Sequence, residues 1–137
     1  SPGQSNKNNG GVRGMVAAVS PSCWYDTVLA HELVHALGGV QPTAPNATRY
    51  SHCTDEADIM CYVDGSGAAM RNVCPASHES LYDCREDDYF HSSPPTGHHL
   101  ATHWNVAWSG AGQSGTLPFS LQRSTDYLVG EYQTVNG

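Results

Sequence analysis

The stretch His31-Glu32-Leu33-Val34-His35-Ala36-Leu37-Gly38 decides how this chain is read. Two histidines four residues apart project from one face of a helix, close enough for both imidazoles to reach one tetrahedral Zn²⁺. The Glu beside the first can then face a bound water. The plainer alternative is an amphipathic helix carrying two hydrogen-bonded histidines, so the flanking sequence has to discriminate. Val28, Leu29, Leu33, Val34, Ala36 and Leu37 recur at helical spacing and predict a helix from about Trp24 to Leu37, stopped by Gly38-Gly39. Upstream, VRGMVAAV (residues 12–19) has the length and apolarity of a strand, and Ser20-Pro21-Ser22 punctuates the passage into the helix.

The rest of the chain bounds what such a site could belong to. At 137 residues with 39% hydrophobic content it fits one domain and not two. Six basic residues against thirteen acidic ones give a net charge of -7 and no cationic face, so nucleic-acid and anionic-membrane binding are disfavoured. No apolar run reaches the roughly 20 residues of a membrane span, and the polar opening SPGQSNKNNGG lacks the pattern of a signal peptide. Five cysteines with few lysines and much Gly, Ser and Asn indicate a secreted, disulfide-braced protein. No C-x-x-C spacing is present, which argues against a thiolate zinc knuckle. Cys53 with Cys61 and Cys74 with Cys84 would each close a short loop, one pairing among 15, leaving Cys23 over.

Beyond Gln41, PTAPNATRYSHCTDEAD reads as an irregular loop with an Asn46-Ala47-Thr48 sequon. SHESLYDC (77–84) could make one or two helical turns, and PPTG (94–97) forces a break. SGAGQSGTLP (109–118) reads as a turn, and TDYLVGEYQTV (125–135) as a β segment. The acids Asp55, Glu56, Asp58, Glu86, Asp87 and Asp88 could supply calcium oxygens, but they lack EF-hand spacing and read better as a solvated acidic face. His99 and His103 share the four-residue spacing without a neighbouring acid, and His78 and His98 read as surface residues.

The Gly three residues past His35, followed by Asp58-Ile59-Met60-Cys61-Tyr62, makes residues 31–62 resemble the metzincin zinc endopeptidases. With VCPASHESLYDC, DDYF and THWN added, the chain is similar to secreted actinobacterial metzincin-like proteins. The resemblance implies an α+β fold, with an active-site helix packed on a small sheet. A loop-rich, disulfide-braced C-terminal part carrying a Met-turn would follow. It further implies that residues 1–137 are a single catalytic domain or its C-terminal portion, with upstream strands absent and an upstream segment or another chain meeting Cys23.

One position departs from the family pattern. H-E-x-x-H-x-x-G-x-x-H would put the third ligand at position 41, where this chain has Gln41, a poor zinc donor beside imidazole. His52, eight residues before Met60, resembles the third ligand of matrix-metalloproteinase-like members. Gln41 to Ser51 would then be an insertion of the leishmanolysin-like kind, flanking the cleft, with His91, His99 and His103 as substitute ligands. Tyr62, two residues after Met60, resembles the Met-turn tyrosine of astacins and serralysins and could hydrogen-bond an oxyanion; an ordinary turn tyrosine is the alternative.

The expected chemistry is hydrolysis of a polypeptide substrate by metal-activated water, with His31, His35 and His52 as ligands, Glu32 as general base and acid, and Tyr62 as oxyanion donor. Two rivals stand beside it: a non-catalytic zinc-stabilised extracellular binding module, and a metallo-amidase acting on cell-wall peptides.

Overall fold

The computed structural model describes residues 15–108, 119–123 and 128–132. Its sheet has three antiparallel strands, β1 (Met15–Val19), β2 (Phe119–Arg123) and β3 (Leu128–Tyr132), in the order β1-β3-β2. β3 is central: Met15 pairs with Tyr132 and Val19 with Leu128 on one side, Phe119 with Tyr132 and Arg123 with Leu128 on the other. The partners of β1 therefore come from the far end of the chain. The expected start of β1 at residue 12, the turn at 109–118 and the flanks of the 125–135 segment lie outside the described residues.

Helix α1 spans Asp26–Ala36 and packs against β1, with a lesser contact to β3. It begins two residues later than the sequence predicts, because Trp24 is used elsewhere: its indole N–H donates to the Val19 carbonyl at 3.1 Å, closing the turn between strand and helix. The helix ends at Ala36, with Leu37 as its C-cap, and the chain then turns at Gly38, whose φ of 92° suits glycine. Gly39 answers to sterics, since a Cβ there would stand 2.6 Å from Val34 Cγ1. The freed carbonyl of Leu37 accepts from Trp104 Nε1 at 2.9 Å, and that of Gly38 from the Gln41 side chain.

From Val40 to Ala107 the chain is mostly loop, with one short helix, α2 (His99–Thr102), and tight 3₁₀ turns at Ala76–His78 and Cys84–Glu86. Those two turns stand at the ends of 77–84, the stretch expected to be helical, and not along it. Two disulfides brace the loops: Cys53 joins Cys61 and Cys74 joins Cys84, the local pairs expected from the sequence, and Cys23 is free and exposed. Val34, Val40, Ala44, Met60, Tyr89 and Val106 form one core with the Cys53–Cys61 bridge.

The solvated acidic face expected from the sequence forms only in part: Glu56 and Glu86 are exposed and Asp87 is half-buried. Asp55, Asp58 and Asp88 are buried, as is Asp83, because loops without regular ladders need side-chain acceptors for their backbone N–H groups. The Asp83 carboxylate accepts from the amides of Asp87, Asp88, Tyr89 and Phe90. Asp58 accepts from Met60 N (2.7 Å), Cys84 N (2.6 Å) and the Tyr89 hydroxyl (2.7 Å), binding the turn before Met60 to the 83–90 loop. Neither His78 nor His98 is a plain surface residue: both are half-buried, and His98 Nδ1 caps α2 by accepting from Leu100 N.

Candidate metal centre

His31 and His35 leave one face of α1, and the 41–51 excursion returns the chain so that His52 meets them. Backbone bonds from Val40 N to the Ser51 carbonyl (3.2 Å) and from Thr48 N to the His52 carbonyl (2.7 Å) close that excursion. Ser51 adopts φ 65° to make the final bend, a conformation a non-glycine residue holds only when its surroundings impose it. One nitrogen from each of His31, His35 and His52 then lies within 4.8 Å of the others. His31 and His52 rings stack at 5.2 Å, and His35 stands edge-on to both.

Each ring is oriented from behind. His31 Nδ1 meets the Ile59 carbonyl at 2.7 Å, His35 Nδ1 the Gly39 carbonyl at 3.0 Å, and His52 Nδ1 the Asp64 carboxylate at 3.2 Å. All three partners are acceptors, so each Nδ1 carries a proton, and a neutral His35 or His52 ring then presents its lone pair at Nε2. Yet His35 Nε2 and His52 Nε2 are 3.1 Å apart. Two lone pairs at that distance repel unless a proton or a cation lies between them. Two nitrogens bound to one tetrahedral zinc at ~2.05 Å would stand about 3.3 Å apart, so the spacing fits a shared metal. Burial lowers the pKa of both rings below 6.5, keeping them neutral at pH 7, the form a metal requires.

The turn that ends the helix thus serves the site as well, since the Gly39 carbonyl exposed by it aims His35. The turn before Met60 does the same for His31 through the Ile59 carbonyl, and Cys53 N donates to the Met60 carbonyl at 3.1 Å, tying the segment that follows His52 to that turn. Met60 itself is fully buried in the core. Asp64, which orients His52, was not identified from the sequence. Its side chain is 3% exposed. Against the burial that raises its pKa, donors from Ser66, Thr48 and His52 hold it well below the usual carboxylate range. The available signal was only an Asp-Gly-Ser turn two residues past Tyr62, which reads as loop chemistry.

Glu32 and Tyr62 face a cleft of about 380 Å³ that also touches His31. The Tyr62 ring lies 4.4 Å from that of His52 and 5.7 Å from that of His31. Burial, then the charges of Asp64 and Glu32, raise its pKa, so the phenol keeps a proton to donate. Gln41 is buried, and its side-chain amide donates to the Gly38 carbonyl at the end of the helix. Among the described residues His91, His99 and His103 join no metal-capable group either; His99 and His103 stack on each other at 3.9 Å.

Of the acids considered for calcium, Asp55, Asp87 and Asp88 bring oxygens within 4.8 Å of one another. Arg71 pairs with Asp55 at 2.5 Å, and Asn46 Nδ2 donates to Asp55 (3.3 Å) and Asp88 (3.2 Å), so this cluster already has protein donors. The same bonds occupy the amide of the sequon. No described helix is long and apolar enough to cross a membrane. Comparisons with protein-family models, with characterised proteins and with solved structures find no match.

Proposed function

We propose that this chain is a secreted zinc-dependent endopeptidase of metzincin type. The observation that carries the proposal is the convergence of three imidazoles, each with Nδ1 held by an acceptor and with one nitrogen of each within 4.8 Å of the others, beside a cleft lined by His31 and Glu32. The donor set suits zinc: three imidazoles, each oriented through Nδ1 by an acceptor, with a cleft opening beside His31. When bound there, zinc supplies Lewis acidity toward a water and a scissile carbonyl.

The residues of the chain do the rest. Glu32, on the helical turn between the two ligands, takes the proton from the attacking water and delivers it to the leaving amine. Tyr62 donates a hydrogen bond to the developing oxyanion from across the cleft. The apolar walls given by Val28 and Ile59 limit water around the reacting bond. The two disulfides support a secreted location.

The test is Glu32→Gln in zinc-reconstituted protein, assayed on an unstructured casein-type substrate with zinc content measured in parallel. Loss of hydrolysis by about 10²–10⁴-fold with zinc retained is expected for a general base. Full zinc binding in both proteins with no hydrolysis by the wild type would instead favour a zinc-stabilised binding module.

A further inference from the structure

The cleft beside the three histidines is lined by Thr27, Val28, Ile59 and Tyr62, together with three carboxylates: Glu32, Asp58 and Glu79. No lysine or arginine lines it, and the whole chain carries a net charge of -7. Two of the acids are already engaged. Asp58 is buried and accepts from Met60 N, Cys84 N and the Tyr89 hydroxyl, while Glu32 faces the reacting bond in the proposed mechanism. Glu79 differs. It follows the Ala76–His78 turn, is exposed, and forms no ion pair among the described residues.

We infer that Glu79 makes this cleft select a substrate with a lysine or arginine side chain next to the scissile bond. This rests on the peptidase function proposed above. The volume of about 380 Å³ accommodates one long side chain, and the walls match such a side chain along its length. Val28 and Ile59 offer apolar contact to the methylene stem, and the Thr27 hydroxyl is a further polar contact. Glu79 accepts from the cationic head through a charge-assisted hydrogen bond. The remaining polar ring of the cleft, His31, is held by the bond of its Nδ1 to the Ile59 carbonyl at 2.7 Å. An acidic side chain placed against Glu79 would meet a carboxylate with no lysine or arginine in the lining to offset it.

The experiment uses zinc-reconstituted full chain and internally quenched peptides that differ only in Lys, Leu or Glu at one position flanking the cleaved bond. Wild type is expected to cleave the Lys peptide with a kcat/KM at least tenfold above the Leu peptide. Glu79→Gln should lower that Lys-to-Leu ratio about tenfold or more, and Glu79→Arg should shift preference toward the Glu peptide, a reversal that a structural role could not produce. The same ratio in wild type and both variants would overturn the inference. Short peptide hydroxamates bearing Lys or norleucine, titrated calorimetrically, separate this from failure of the peptidase proposal. A Lys preference that disappears in Glu79→Gln supports the inference even in a protein that hydrolyses nothing, and equal affinity for both ligands in wild type refutes it.

Discussion

Replacing Asp64 by Ala tests how far the proposed metal centre depends on a residue outside its three histidines. Asp64 Oδ2 accepts from His52 Nδ1 at 3.2 Å and from the Thr48 hydroxyl, while Oδ1 accepts from Ser66 N at 2.9 Å. Without the carboxylate, His52 loses the acceptor that fixes its proton on Nδ1, and the ring is free to turn or to carry its proton on Nε2, where it cannot bind. Removal of such an outer partner costs typically 10–100-fold in metal affinity. The 3.2 Å distance exceeds the 2.7–2.9 Å range typical of strong charge-assisted bonds. We therefore expect the lower part of that range, about 10–30-fold, or roughly 1.4–2.0 kcal/mol. Asp64→Asn keeps an acceptor but not the charge, and should fall between wild type and Asp64→Ala. The assay is zinc competition against a chelator of known affinity at pH 7.5, with folding checked by circular dichroism. Zinc affinity of folded Asp64→Ala within twofold of wild type would show that neighbouring packing alone positions His52, and the tautomer argument would fail.

Three further outcomes follow from the geometry. His52→Ala should lose most zinc affinity and all detectable hydrolysis, whereas Gln41→Ala should change zinc affinity by no more than about tenfold, since the Gln41 amide serves the helix-end turn; chelator competition on both variants decides, and the reverse ranking would put Gln41 in the metal shell. Because burial lowers the folded pKa of His35 and His52 below 6.5, their neutral forms persist above that value and are lost as pH falls through the folded values. Zinc affinity should accordingly be flat from pH 7 to 8 and drop steeply below about 6, and zinc retained at pH 4 would indicate carboxylate ligands instead. Tyr89→Phe removes a hydroxyl that donates to Asp58 and accepts from Asp83 N in a fully packed setting, so chemical denaturation should show a loss of about 2–4 kcal/mol; a loss under about 0.5 kcal/mol would mean that water replaces the hydroxyl.

What the sequence makes legible here follows interaction range. His31, Glu32 and His35 sit on one helical segment, so their mutual placement depends only on the helical period, and the Gly38-Gly39 stop is equally local. The meeting of His52 with them is longer in range, and it was accessible through the eight-residue step from His52 to Met60 and the poor donor quality of Gln41 beside imidazole. Asp64 lay beyond this reasoning: an Asp in a turn has the same local signature whether it caps a backbone N–H or orients a ligand, and only the fold reveals that it does both.

The buried carboxylates show the same limit from the opposite side. Composition places acids at the surface, because an isolated buried charge is expensive. That rule assumes the backbone satisfies itself. In residues 40–107, with one four-residue α-helix and no strand of more than an isolated bridge, it does not, and Asp58 and Asp83 supply the acceptors that a sheet would have provided. Asp58 illustrates why this bears on function: it binds Met60 N and Cys84 N at once, so the turn whose Ile59 carbonyl aims His31 is anchored to the second disulfide loop. A loop-built wall can in this way fix the acceptor that orients a helix-borne histidine, through buried carboxylates and disulfides in place of a ladder.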